Sequence, residues 1–292
     1  MQLVTFSQAG EQPRPGALLA REGQKYVLDL RQADERLPGS MMELLQAGET
    51  ALALARLAVE RLPERALLPL GEALRLHAPI PRPGKIVCLG HNYYDHMGIG
   101  RSEPPEFPTI FGKPASCVIG PGEPICIPSE TQQVDYEAEL AVVIGRTARR
   151  VPEERAFEYV AGYTIFNDVS ARDYQKRTSQ WMLGKAFDTF GPMGPALVSA
   201  DEITDPHNLG LSLTVNDLEL QRTNTGSMIF SIPYLIAYLS AVMTLEPGDL
   251  ISTGTPAKTE LAKSIPPFLK PGDIVKIWVE GVGELVSSVQ AE

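Results

Sequence analysis

Cysteine is scarce in this 292-residue chain, which has only Cys88, Cys117 and Cys126 and no Cys-x-x-Cys pair. An odd count without that spacing excludes a disulfide framework or a cysteine zinc site, and reduced, buried thiols are expected. Excess positive charge is also lacking. The formal net charge of −10 argues against a nucleic-acid or anionic-membrane partner, since both need a basic surface. No apolar run is long enough to span a bilayer: the longest uncharged stretch, Met228 to Leu245, is interrupted by Ser231, Pro233, Tyr234, Tyr238 and Ser240. Its later part, Ile232–Leu245, reads as a core helix with Pro233 in the first turn. Met1-Gln2-Leu3-Val4 starts directly in a strand-like pattern with no export signal, so a cytoplasmic location is expected. The glycines from Gly90 to Gly100 form no G-x-G-x-x-G motif, which leaves a dinucleotide site unsupported. Neither Ser170 nor Ser252 stands in a G-x-S-x-G elbow, so covalent serine catalysis is unsupported too.

What is present is ordinary globular material, with 43% hydrophobic and 21% charged residues and enough length for a large domain plus a smaller one. Short apolar runs broken by turn residues suggest hairpins up to about residue 38, and Ser40 can cap a helix from Met41 to about Leu62. Residues 63 to 84, rich in proline, read as a linker. The expected division is a small N-terminal α+β domain, 1–78, and a main domain, 79–292. Strand candidates follow at Lys85–Leu89, Thr109–Pro114 and Gly162–Asp168, with a short helix near Glu153–Tyr159. Hairpins are expected around Asp217-Leu218 and Gly281-Val282-Gly283. Strands outnumber helices without regular alternation, so the expected class is α+β and β-rich: a mixed sandwich or roll with peripheral helices.

The main domain centres on Val134-Asp135-Tyr136-Glu137-Ala138-Glu139, which runs into the β-branched stretch closed by Gly145. In a strand, residues two apart share a face, so Asp135, Glu137 and Glu139 would point the same way. Acids that close repel one another unless a cation or a proton relieves them, and a hard divalent ion suits oxygen ligands. A solvated edge strand carrying acids on its wet face explains the alternation equally well. Asp168 ends an apolar strand. If that strand neighbours the acidic one, Glu137, Glu139 and Asp168 make a plausible Mg²⁺ or Mn²⁺ set; otherwise Asp168 caps the following turn. Lys185 sits among apolar residues and either pairs with these acids or snorkels to the surface. His96 lies in the polar loop after the Lys85–Leu89 strand, where a lone histidine more often serves structure than catalysis. Thr253 and Thr255 either offer donors to a carboxylate or simply form a turn.

Together these segments resemble the fumarylacetoacetate hydrolase family from about Lys85 onward. The resemblance rests on Gly90-x-Asn92-Tyr93-x-x-His96, Lys113-Pro114, the Asp135-Tyr136-Glu137-x-Glu139 strand and Asn167-Asp168-Val169-Ser170-Ala171-Arg172-Asp173. It continues through Gly184-Lys185-x-Phe187-Asp188, Met228-Ile229-Phe230-Ser231, Pro247-Gly248-Asp249 and Thr253-Gly254-Thr255-Pro256. It implies a β-roll catalytic domain, usually dimeric, in which Glu137, Glu139 and Asp168 bind Mg²⁺ or Mn²⁺ with Asp135 beside them. It further implies Lys185 as the active-site lysine and His96 on a closing lid. Asn92, Tyr93, Lys113, Gln180 and Thr255 would lie toward a small-molecule 2-oxo acid substrate. Members that hydrolyse acylpyruvates generally carry a glutamate about three residues after the histidine, and here that position is Ile99. A histidine without a carboxylate partner is a less basic and less firmly oriented base. The expected reaction is divalent-metal-dependent C–C hydrolysis of an acylpyruvate-like acid. Isomerisation, tautomerisation, hydration or decarboxylation of a 2-oxo (di)acid comes next, and a binding module without catalysis last.

Overall fold

The computed structural model describes residues 1–95 and 104–292, so His96, Ile99 and Glu103 lie outside the described residues. The chain is α+β and strand-rich, as its sequence pattern predicts.

The site is organised by Ala138–Ile144, in which all seven residues are buried. This strand pairs on one side with Val160–Asn167 and on the other with Leu250–Ser252. A strand flanked and covered in this way needs a continuous apolar run rather than alternation, which is what Leu140-Ala141-Val142-Val143-Ile144 provides. The large sheet runs in the order Leu67–Pro69, Gln24–Asp29, Arg14–Arg21, Gln2–Gln8, Gly191–Ser199, Val160–Asn167, Ala138–Ile144, Leu250–Ser252, Ile86–Gly90 and Thr109–Lys113. The N-terminal hairpins therefore continue the sheet that carries the acidic strand, joined through Gln2↔Val198 and Leu3↔Leu197. A second sheet orders Leu218–Asn224, Gly210–Val215, Ile274–Val279, Gly283–Ala291 and Ile125–Ile127.

Several boundaries differ from the sequence reading. Ser40 caps its helix with Glu43 in a reciprocal capping box, but that helix stops at Gln46 and a second one covers Gly48–Arg61. Gly48, at φ +66°, takes a left-handed conformation that interrupts a single helix at little steric cost. The proline-rich segment is not a bare linker, because Leu67–Pro69 pairs with Gln24–Asp29 and Leu74–His77 pairs with Gln2–Gln8. The turn of the Gly210–Val215/Leu218–Asn224 hairpin is Asn216-Asp217, one residue earlier than expected. Both residues have positive φ, as a tight two-residue turn requires. Ser231 caps the Ile232–Val242 helix, with Pro233 in its first turn.

Candidate active site

The acidic stretch is not one continuous strand. Val134–Asp135 pairs with Ser170–Ala171 in a separate two-stranded ribbon, and Tyr136 and Glu137 bridge to Ala138–Ile144. The two ends stay locked together by backbone. Ala138 faces Asn167 in the antiparallel register, the Asp168 amide donates to the Glu137 carbonyl, and the Glu137 amide donates to Asn167 Oδ1. Asp168 is thereby placed at the mouth of the Ala138–Ile144 strand. One carboxylate oxygen from each of Glu137, Glu139 and Asp168 lies within 4.8 Å of the others.

Asp135 is not part of this triad and is held by Arg172 Nε at 2.9 Å and Lys258 Nζ at 2.6 Å. Arg172 reaches both sides, since its Nη2 donates to Glu137 Oε1 at 2.6 Å. Lys185 Nζ lies 2.6 Å from both Glu137 Oε2 and Asp168 Oδ2, and Lys113 Nζ lies 2.6 Å from Asp168 Oδ1. Lys185 and Lys113 are buried, and only such pairing makes buried ammonium groups tolerable. Gly184 precedes Lys185 because a Cβ there would come within 2.5 Å of the Gln175 backbone nitrogen.

Glu139 differs from the other acids. Its Oε2 accepts from the Ser252 hydroxyl and from the Gly254 amide at 2.9 Å. Its Oε1 is buried and has no hydrogen-bond partner among the described residues. Burial, with the charges of Asp168 and Glu137 added to it, pushes the Glu139 carboxyl well above the ordinary glutamate range. Glu137 moves the other way: burial opposes ionisation, but Arg172 and then Lys185 hold it below the usual range. Gly254 can approach because it is a glycine, with φ +94° and a Cβ position 3.1 Å from the Leu89 carbonyl oxygen. A buried carboxylate with one orphaned oxygen, clustered with two more carboxylates, fits a divalent ion. The donor set is entirely hard oxygen, as Mg²⁺ or Mn²⁺ prefers.

Glu137 lines a cleft of about 610 Å³, within the usual range for small-ligand sites. Glu137, Arg172, Lys185 and Thr255 line it on the polar side; Phe111, Trp181 and Phe268 line it on the apolar side. Trp181 packs edge-on against both His91 and Phe111, with ring centroids 5.5 Å apart in each case.

The structure therefore brings together Glu137, Glu139, Asp168, Lys113, Lys185 and Thr255. Asn92 is fully buried behind this group, and its side chain is spent on the backbone of Phe230 and Thr253. Tyr93 is buried beside it, bridged to Met228, and Gln180 is exposed on the loop before Trp181. Sequence reasoning gave no role to Arg172, Lys258 or Gln221. Arg172 carried a signal, lying four residues after Asp168 in the Asn167–Asp173 motif. Lys258 and Gln221 carried none, because Lys258 pairs with Asp135 and Gln221 with Ala138 across more than 80 residues of chain.

Residues 85–290 match the family described as fumarylacetoacetate (FAA) hydrolase, C-terminal. A mitochondrial oxaloacetate tautomerase (fahd2) of Xenopus laevis is 44% identical over 291 residues, covering 99% of this chain and 90% of that protein. Among solved structures, a fumarylacetoacetate hydrolase from Exiguobacterium antarcticum superposes with TM-score 0.84 at 33% identity, covering 100% of both chains. The maleylpyruvate hydrolase of Sphingobium sp. SYK-6, solved with manganese(II) and pyruvate, gives TM-score 0.80 at 32% identity, covering 100% of this chain and 99% of that one. With the acidic triad seated where the sequence motifs place it, the chain belongs to the fumarylacetoacetate hydrolase family.

Proposed function

We propose that the chain is a divalent-metal-dependent tautomerase of a 2-oxo diacid of the oxaloacetate kind. The observation that carries this is the buried, unpartnered Glu139 Oε1 in a carboxylate clustered with Glu137 and Asp168. Glu137, Glu139 and Asp168 would hold Mg²⁺ or Mn²⁺, which when bound supplies Lewis acidity at the 2-oxo oxygen.

The side chains around the triad do the rest. Arg172 and Lys185, lining the cleft as cations, bind a dianion and orient its carboxylate, and the apolar wall of Trp181 and Phe111 excludes water and strengthens those contacts. Keto–enol exchange moves one proton between the 2-oxygen and C3, with negative charge concentrated on that oxygen on the way. Lys185, an ammonium between two carboxylates, is a donor and suits the developing oxyanion. The base at C3 must be another group, and His96 is the sequence candidate. Tautomerisation needs no activated water, so Ile99 in the position of the usual glutamate costs it nothing, whereas hydrolysis loses the dyad that would prepare the nucleophile. The 44% identity to an oxaloacetate tautomerase over almost the whole chain supports the same choice.

Hydrolysis of an acylpyruvate-like acid is the second reading. The cleft of about 610 Å³ has room beyond a four-carbon diacid, and the likeness to a maleylpyruvate hydrolase favours a longer substrate. Loss of the enol absorbance of oxaloacetate in Mg²⁺ tests the first reading, with pyruvate release assayed alongside to separate decarboxylation. Enol decay should accelerate with wild type and not with Glu139→Gln. Decay at the buffer rate with wild type, together with loss of diketone absorbance from an acylpyruvate, would transfer the assignment to hydrolysis.

A further inference from the structure

Gln221 is a fully buried carboxamide on the Leu218–Asn224 strand, which belongs to the second sheet and not to the sheet that carries the acids. Its side chain crosses to the site and makes three hydrogen bonds there. Oε1 accepts from the Ala138 amide at 3.0 Å; Nε2 donates to the Pro256 carbonyl at 2.8 Å and to Thr255 Oγ1 at 2.9 Å.

Two of these partners can act in one sense only. A backbone N–H only donates and a carbonyl oxygen only accepts, so the amide cannot be flipped without breaking both bonds. The remaining Nε2 proton must then go to Thr255 Oγ1, which makes that hydroxyl an acceptor from within the protein. A hydroxyl that accepts on one side keeps its single proton for donation elsewhere, and Thr255 lines the cleft. The other end of the same carboxamide holds Ala138, the residue between the acids Glu137 and Glu139.

We propose that Gln221 is a positioning residue: it ties the acidic strand to the Thr255 loop and sets the Thr255 hydroxyl as a hydrogen-bond donor to a substrate oxygen. This rests on the 2-oxo acid reading of the site given above. Gln221 touches no substrate itself. A structural role alone would weaken folding and every ligand together, whereas a role exercised through the Thr255 proton should disappear once that proton is gone.

The test is a double-mutant cycle read by calorimetric titration of oxalate into the Mn²⁺-loaded protein, with Mn²⁺ affinity and thermal unfolding measured on each variant. Gln221→Met removes all three hydrogen bonds at similar size. Gln221→Glu keeps an acceptor for Ala138 but cannot donate to Thr255, and it carries the test if the methionine variant does not fold. Either variant should weaken oxalate about tenfold, the scale of one hydrogen bond made to a charged ligand, with Mn²⁺ affinity within twofold of wild type. On a Thr255→Val background the same change should cost less than twofold; on Thr255→Ser, which keeps a hydroxyl, the full loss should return. An undiminished loss on Thr255→Val, or unchanged oxalate affinity in a folded Gln221 variant, overturns the proposal. Failure of wild type itself to bind oxalate would instead remove the 2-oxo acid reading, and this inference with it.

Discussion

Replacing Glu139 by glutamine should make the chelator-treated protein more stable and the Mg²⁺-loaded protein less responsive to its ion. The carboxylate is buried with one oxygen unpartnered and two further acids nearby. A glutamine of the same shape still accepts from the Ser252 hydroxyl and the Gly254 amide, and it presents NH₂ donors to Glu137 and Asp168 in place of a third negative charge. Relief of a buried unsatisfied group amounts to about 1–3 kcal/mol, or roughly 2–6 °C in melting temperature for a chain of this size. The pH dependence follows from the raised Glu139 pKa. A carboxyl whose folded pKa lies above its unfolded value contributes stability that is fully present below the unfolded value and lost as pH rises through the folded one. Chelator-treated wild type should therefore lose stability as pH rises above the ordinary glutamate range, and Glu139→Gln should lose less. With free Mg²⁺ about a hundredfold above its Kd, wild type should gain about 2.7 kcal/mol and the variant almost nothing. Thermal unfolding of both proteins in EDTA and in Mg²⁺ reads all of this. A variant less stable than wild type in EDTA, or equal gains from Mg²⁺ in both, would refute the reasoning.

Arg172→Met removes a cation that bridges Asp135 and Glu137, so Mn²⁺ should bind as tightly as before or tighter while oxalate weakens at least tenfold; calorimetry reads both. Asn92→Ala deletes three buried hydrogen bonds to the Phe230 and Thr253 backbone and should cost about 3–4 kcal/mol in urea unfolding, with residual activity in whatever remains folded. Neutral His207 accepts from the Ile232 amide at the start of the Ile232–Val242 helix, and burial lowers its pKa. Its stabilisation is present above the unfolded histidine pKa and lost as pH falls through the folded one. His207→Gln should therefore flatten the fall in stability on acidification below about pH 6.5, as followed by melting temperature against pH.

The clustering of the three acids was legible because it is local. Glu137 and Glu139 alternate on one segment, and Asp168 directly follows the Val160–Asn167 strand, so antiparallel pairing of sequence neighbours was enough to bring them together. What was not legible depends on contacts between distant segments. Strand alternation places Asp135 on the face of Glu137 and Glu139, but pairing of Val134–Asp135 with Ser170–Ala171 takes it out of the strand and gives it to Arg172 and Lys258. Asn92 looks like a polar loop residue in the sequence, and only the fold shows that its amide is occupied by backbone. Gln221 reads as one more residue of a hairpin until the second sheet is packed against the first. The helix break at Gly48 was visible as a glycine, but a single glycine in an apolar-faced helix is commonly tolerated.

The most direct measurement is a titration of Mn²⁺ into chelator-stripped protein, with free ion followed by its electron paramagnetic resonance signal. Wild type should take up one ion per chain, and both Glu139→Gln and Asp168→Asn should leave it free at the same concentrations. Uptake by both folded variants at wild-type affinity, or no uptake by wild type, would contradict a metal centre built from Glu137, Glu139 and Asp168.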